Sequence, residues 1–317
     1  MDKALAIQKK VQEILGTEEV YLVGGSVRDL VMGNTPKDYD FTTAMHPDEM
    51  VERVKAAGRR VYTIGEKFGT IGFKVPFERK AELTDDSPAY TFVTQPTVTD
   101  YEYVEVTTFR SEVYTSKSRK PEVQFVPSLD EDLARRDFTM NAMVLRGDGT
   151  IYDPYGGRLD IYAKQIKTVG LPKDRIMEDP LRMLRAARFA ARYDFTIDPN
   201  FIGKARQLSD RLYDVSRERW VMELDKLLVA EFRDRGLTEL FQMELLYRIL
   251  PELMSLSHVT NRLDEGYEDA DHAWRSLLLL LDDNIKVARY QAEGICARLK
   301  FSNDRTNIVL DKVKKKE

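Results

Sequence analysis

Apolar positions in the first half of the chain recur with two different periods. In MDKALAIQKKVQEIL, Leu5, Val11, Ile14 and Leu15 fall on one side of a helix. VYLVGG (20–25) is instead a short apolar run that stops on two glycines, which predicts a buried strand followed by a short helix to Met32. Gly33 stands where a helix C-terminal glycine belongs. YDFTT (39–43), TIGFKV (70–75), YEYVEVTTF (101–109) and VQFV (123–126) read as strands, and PDEMVERVKAAG (47–58) as a helix opening on Pro and acids and closing on Gly. The pattern predicts one α/β domain with a sheet of about five strands, interrupted over 78–100 by a polar, turn-rich excursion. From Asp179 onward the periodicity is helical almost throughout, with 256–273 poor in apolar residues and expected to be a loop between helices.

Composition adds bounds. With 317 residues, 43% of them hydrophobic, the chain can bury the cores of two or three domains. It has no run of about 18 apolar residues, so no membrane span is expected. A single cysteine, Cys296, and three histidines leave no intrachain disulfide, no disulfide-linked partner and no Cys/His zinc site to expect, as in a cytosolic (cytoplasmic) protein. The net charge of −4 means that any nucleic-acid contact must come from local patches. Lys117, Arg119 and Lys120 form one, the arginine series from Arg182 to Arg192 a second, and the closing KVKKKE reads as a solvated tail.

The candidate chemistry begins in YLVGGSVRDLVMGNTPKDYDFTT (21–43). A strand, two glycines and a helix start let backbone N–H groups approach an anion, with Arg28 in reach of it. The plain alternative is a tight strand-to-helix turn. Asp38 and Asp40 are spaced i and i+2 along the next strand, so both carboxylates project from one face and repel unless a cation lies between them. Mg²⁺ takes oxygen ligands and only a few from protein. Two such ions about 4 Å apart would activate a hydroxyl nucleophile and steady a departing pyrophosphate. A third carboxylate from a neighbouring strand would be Glu102 or Glu105, which point to opposite faces, and spacing does not choose between them.

Two later segments carry more charge than a core needs. In LDEDLARRDF (129–138), Arg135, Arg136 and Asp137 abut the apolar Phe138, Met140 and Met143; Arg136 could pair with a triphosphate and Asp137 with a ribose hydroxyl. In EDPLRMLRAARFAARYDF (178–195), Arg182, Arg185, Arg188 and Arg192 fall in one stripe, opposite Met183, Leu184, Ala187 and Ala191. Four like charges on one face call for a polyanion. Asp179 and Arg182 are neighbours at i and i+3, although Asp179 before Pro180 could equally cap the helix.

Together LVGGSVRD, KDYDFTT, VEVTTFR, RRDFTMNAM and EDPLRMLRAARFAAR, in this order over roughly 20–195, resemble the class II CCA-adding enzyme and bacterial poly(A) polymerase family. VSRERWVMELDKLL (215–228) resembles a later block of it. The resemblance implies an α+β fold: a polymerase-beta-like nucleotidyltransferase head (1–145), then an all-helical neck (146–210) and body with a shortened tail (211–317). It implies Asp38 and Asp40 as Mg²⁺ ligands and Glu105, over Glu102, as the third catalytic carboxylate. Gly25, Arg28 and Arg136 match triphosphate contacts, Asp137 a ribose contact, Asp179 and Arg182 the pair that reads the incoming base, and Arg185 and Arg188 further nucleotide-site arginines. A carboxylate beside a guanidinium can present a base-pair-like edge of acceptors and donors.

The implied activity is template-independent addition of C, C and A to a tRNA 3′ end from CTP and ATP. The stretch SEVYTSKSRKPEVQF (111–125) is full length, as in relatives that switch to ATP, with Lys117 or Ser116 where they carry an acid. GEKFGTIGF (65–73) resembles the CCA-adding rather than the poly(A) pattern, and the chain ends soon after ARLKFSND (297–304), short of a full tail. An A-adding enzyme with a separate CC-adding partner and a poly(A) polymerase are the neighbouring readings. A catalytically silent RNA-binding module is the rival from another class; an intact carboxylate pair without a metal would cost it stability.

Overall fold

Alternation of apolar and polar residues sets the architecture of the first unit, Met1–Ile161. The computed structural model describes residues 1–63, 65–80, 97–113, 122–253, 267, 269–281 and 285–310. The first unit is built on a mixed sheet of seven strands. In chain order these are β1 (Val20–Val23), β2 (Tyr39–Thr43), β3 (Val61–Tyr62), β4 (Thr70–Lys80), β5 (Thr97–Thr108), β8 (Val144–Leu145) and β9 (Ile151–Tyr152). Their spatial order is β3-β4-β5-β2-β1-β8-β9, with β2 and β5 parallel and the other neighbours antiparallel.

The count exceeds the five expected because β3, β8 and β9 are two residues each, too short to show alternation. VQFV does form a strand, β7 (Glu122–Phe125), but it pairs with β6 (Arg110–Val113) in a separate ribbon. The polar excursion is shorter than its sequence suggested: β4 and β5 stay paired out to Lys80 and Thr97. Residues 81–96, and with them Lys117, Ser116, Arg119 and Lys120 of the second loop, lie outside the described residues.

One face of this sheet is core. Phe41, Ile71, Phe73, Val75, Val104 and Val106 are fully buried on it. Helices α1 (Asp2–Leu15) and α3 (Pro47–Ala56) pack against it. The buried stripe of α1 is Ala4, Ile7, Gln8, Val11 and Leu15, rotated from the one expected, with Leu5 and Ile14 half-buried. The rotation is stabilised by Gln8, whose buried amide donates to Val20 O and Leu145 O and so joins β1 to β8. The other face carries helix α2 (Gly25–Val31), helix α4 (Leu129–Ala134) and a 3-10 turn at Thr139–Asn141. Helix α5 (Gly157–Tyr162) follows β9.

Among its described residues the second unit, Tyr162–Glu317, has helices as its regular structure apart from one parallel pair, β10 (Gln165–Ile166) with β11 (Thr196–Ile197). Its helices include α6 (Pro172–Glu178), α7 (Leu181–Tyr193), α8 (Pro199–Gln207), α9 (Arg217–Leu228), α10 (Arg233–Gln242) and α11 (Leu245–Ile249). Then follow α12 (Ala270–Leu279), α13 (Ile285–Arg298) and α14 (Asn303–Leu310). Of the stretch expected to be a loop, residues 256–266 and 268 lie outside the described residues, and its end is helical from Ala270, where Asp269 caps the helix by accepting from His272 N. Helix α7 is the hub, buried at ten positions and packed by α9 and α10. Gly236 permits the α10 approach: a Cβ there would lie 2.7 Å from the Ala191 Cβ and 2.9 Å from Ala187 O. Among the described residues, no helix is long and apolar enough to cross a membrane.

Candidate active site

The two glycines after β1 each lie against a guanidinium. Gly24 has φ +70 and ψ −129, a conformation only glycine adopts readily, and a Cβ there would sit 3.1 Å from Arg136 Nη1. A Cβ on Gly25 would sit 3.2 Å from Arg28 Nη2. Both arginines are fixed from behind. Arg28 is buried, donating to Asp29 Oδ1 at 2.8 Å and to Asn141 Oδ1 at 2.7 Å. Arg136 donates to Asp132 Oδ2 at 2.9 Å, and Arg135 to Asp132 Oδ1 at 2.9 Å. Asp132 is completely buried; burial pushes its carboxyl up, but Arg136 and Arg135 outweigh that and hold it below the usual range.

Asn141 ties the set together. It accepts from Arg28, donates through Nδ2 to Asp137 Oδ1 at 3.1 Å, and its carbonyl faces Arg136 Nη1 at 3.5 Å. Asp137 Oδ1 also accepts from Phe138 N. Arg28 and Asp137, more than a hundred residues apart, thus meet on the Asn141 side-chain amide, with Arg136 at its main-chain carbonyl. Neither Asp132 nor Asn141 was singled out in the sequence. The i+3 and i+4 spacing from Asp132 to Arg135 and Arg136 was the available signal for the first.

The carboxylates stand next to this turn. Ser26, in the first turn of α2, donates through Oγ to Asp38 O at 2.9 Å and holds the start of β2. Asp38 lies on the bend just before β2 rather than within it, and Asp40 is the strand's second residue. Asp40 is in register with Glu105 of parallel β5, so the two share a face. Glu102 goes to the other side, where its carboxylate meets Lys3 Nζ at 2.8 Å.

Asp40 keeps an opening to solvent yet has protein on most sides, as in a concave site. That burial, followed by the Glu105 and Asp38 charges, pushes its carboxyl up to about 6, with Arg136 opposing. Among the described residues no group of three or more His, Cys, Asp or Glu is gathered closely enough to form a ready metal cage. The donor set is oxygen only and carries excess negative charge, which suits a hard cation that draws few ligands from protein.

In the second unit the arginine stripe has a different balance from the one expected. Arg182 is buried and donates to Glu178 Oε2 at 2.6 Å and to Arg175 O at 3.0 Å. Arg188, also buried, meets Glu223 of α9 at 2.8 Å and stacks on Phe189 at 4.1 Å; Arg185 lies 3.8 Å from the same glutamate. Much of the charge is met inside the chain by two glutamates that helical periodicity did not flag. Asp179 accepts from Leu181 N through Oδ1, the capping role, and pairs through Oδ2 with Arg219 at 2.8 Å. Residues 179 and 182 are also joined by a main-chain bond from Arg182 N to Asp179 O at 3.0 Å.

Comparison with known proteins agrees with this architecture. Residues 20–167 match the family described as the poly A polymerase head domain, and residues 194–256 the probable RNA and SrmB-binding site of polymerase A. A CCA-adding enzyme of Streptococcus pneumoniae is 36% identical over 286 residues, 88% of this chain and 64% of that protein. One of Levilactobacillus brevis is 36% identical over 264 residues, 82% of this chain and 59% of that protein. The solved Bacillus stearothermophilus CCA-adding enzyme in complex with CTP superposes with a TM-score of 0.72 at 29% identity, covering 96% of this chain and 67% of that one. The chain thus spans about three-fifths of the length of these curated relatives, 64% and 59%. With its head-domain match, the RNA-binding match behind it and relatives at 36% identity along most of its length, the chain belongs to the family of CCA-adding enzymes and bacterial poly(A) polymerases.

Proposed function

We propose that this chain is a template-independent tRNA nucleotidyltransferase that adds C, C and A to the tRNA 3′ end from CTP and ATP, releasing pyrophosphate. One observation carries the reading: Asp40 and Glu105 share a face across parallel strands, in electrostatic reach of Arg136, which lines a Gly-Gly turn. Three like-charged carboxylates beside two anchored guanidiniums suit a reaction that handles a cation and a triphosphate together. The relatives named as CCA-adding enzymes, one of them solved with CTP, support the choice of substrates.

In this reading Asp38 and Asp40 hold Mg²⁺, with Glu105 completing the catalytic carboxylates. A bound divalent cation in such a site lowers the pKa of the attacking hydroxyl and neutralises charge on the leaving pyrophosphate. Gly25 leaves room for phosphate beside Arg28 and Arg136, which orient it, and Asp137 takes the ribose. Asp179 and Arg182 present acceptor and donors to the base, and Arg185 and Arg188 serve as further nucleotide-site arginines. The division of labour is a head over 1–145, a nucleotide-selecting neck over 146–210 and a tRNA-binding body with a short tail over 211–317, in a cytoplasmic enzyme.

The test is incorporation of labelled CTP or ATP, separately and together, into tRNA ending before its first C, after its second C, or complete. Addition of all three residues is the expected result. ATP entering only the CC-ended form would replace the reading with an A-adding enzyme, and a long adenosine tract with a poly(A) polymerase. No incorporation at all, with RNA affinity indifferent to Mg²⁺, would leave a binding module.

A further inference from the structure

The sheet face that carries Asp40 and Glu105 continues along β4 and β5 into a recess of about 320 Å³ lined by Gly58, Arg59, Arg60, Tyr62, Lys74 and Tyr101. Register puts its strand residues on the carboxylates' side. Glu105 is opposite Gly72, Tyr103 opposite Lys74, and Tyr101 opposite Pro76, while Tyr62 of β3 is opposite Gly72. Residues at alternate positions share a face. Gly58, with φ +69, ends the α3 segment and turns the chain so that Arg59 and Arg60 enter β3 beside Lys74.

This recess gathers three cations, Arg59, Arg60 and Lys74, beside the rings of Tyr62 and Tyr101. Several arginines elsewhere are paired, Arg28 by Asp29, Arg136 by Asp132, Arg188 by Glu223 and Arg305 by Asp225 and Asp271. Among the described residues, Arg59, Arg60 and Lys74 have no carboxylate partner, in a chain whose net charge is −4. Three uncompensated cations attract an anion. Beside them Tyr101 is 55% exposed and Tyr103 43% exposed, with Arg60 over the Tyr62 ring at 5.2 Å and Tyr62 edge-on to Tyr103. Exposed aromatic rings among phosphate-binding cations are what single-stranded nucleic acid uses, with bases stacking on the rings and the backbone tracking the charge.

Position distinguishes a polymer from a nucleotide. At about 3.4 Å per residue, Tyr103 is about 7 Å and Tyr101 about 14 Å along the strand from Glu105. A free triphosphate seated at the carboxylates and the Gly-Gly turn would not extend over that distance as well. A chain leading away from the reacting 3′ hydroxyl would.

We propose that the recess formed by Arg59, Arg60, Tyr62, Lys74 and Tyr101 binds the backbone and a base of a single-stranded RNA segment whose 3′ end lies at the Asp40 and Glu105 carboxylates. The proposal rests on the RNA 3′-end reading given above, and its test separates the two. A labelled tRNA transcript ending after its second C, which keeps a single-stranded 3′ segment, is titrated with the full chain in EDTA, so that no chemistry occurs, between about 50 and 200 mM salt. The Arg59→Ala/Lys74→Ala variant is expected to bind roughly tenfold more weakly and to lower the salt slope by about 1.4, near 0.7 for each single-strand phosphate contact. Tyr101→Ala is expected to weaken binding roughly tenfold by loss of stacking. The charge-keeping Arg59→Lys/Lys74→Arg variant keeps the wild-type slope.

An unchanged slope in the alanine variant overturns the proposal, as does an equal loss in the charge-keeping one, which would mark a folding defect. A raised KM for CTP with intact RNA affinity also overturns it, assigning the recess to the nucleotide. Wild-type protein that fails to bind the transcript does the same. If the wild type binds through these residues but incorporates nothing with Mg²⁺ and nucleotides, the transferase reading fails and the recess stands as an RNA site. If it incorporates normally and the alanine variant binds as the wild type does, the recess falls alone.

Discussion

Replacing Asp40 by Asn should make the metal-free protein more stable, at the expense of its chemistry. Asp40 is crowded by protein and by the Glu105 and Asp38 charges, which push its carboxyl from 3.8 to about 6. At about 1.4 kcal/mol per pH unit, that shift caps the destabilisation above pH 6 at about 3 kcal/mol. Because the side chain opens to solvent, screening reduces the figure, and about 1–2 kcal/mol is the expected gain for Asp40→Asn. The sign follows from proton binding. Between roughly pH 4 and pH 6 the folded carboxyl holds its proton more tightly than the unfolded one, so stability falls as pH rises and the penalty is complete above about 6. Below 3.8 both states are largely protonated and the penalty vanishes. Thermal unfolding in EDTA at pH 7.5 should therefore show the variant's head melting roughly 3–6 °C above wild type, with the gap closing by pH 4. Added Mg²⁺ should raise the wild-type midpoint by binding the native state, and leave the variant's nearly unmoved. A variant no more stable than wild type at pH 7.5, or a gap that persists at pH 4, would refute the idea that repulsion is stored at this carboxylate.

Asp132→Asn should destabilise the head by about 3 kcal/mol, because it leaves Arg135 and Arg136 short of a buried partner; urea unfolding measures this. The folded carboxyl of Asp132 is depressed, so its stabilisation is present above about pH 4 and lost on acidification, and the gap between variant and wild type should narrow below that point. Gly72→Ala should lower kcat severalfold, since a Cβ at 72 would clash with the Tyr103 phenol, which donates towards Glu105 at 3.5 Å. Removing the obstruction in Gly72→Ala/Tyr103→Ala should restore the stability lost in the single variant, and a fully active Gly72→Ala enzyme would show that Tyr103 has no hold on Glu105.

What the sequence made legible follows from the range over which each signal acts. Period-two alternation in YEYVEV put Tyr101, Tyr103 and Glu105 on one face and Glu102 with Val104 and Val106 on the other, but alternation assigns faces without saying which face is open. Only the pairing of Asp40 with Glu105, and of Glu102 with Lys3, resolves that choice physically. The arginines of α7 were visible as a stripe for the same local reason, whereas Glu223 belongs to α9 and reaches Arg188 through helix packing that no local period encodes. Asn141 is the extreme case. It is a polar residue in a segment that reads as core, and its three partners, Arg28, Arg136 and Asp137, come from two different motifs. Burying an amide there is tolerable only because these bonds are made, so the need for Asn141 arises once the two motifs meet. The Gly-Gly turn depends on the same meeting: its glycines give the chain its sharp turn, and they also leave the two guanidiniums space that any side chain would take.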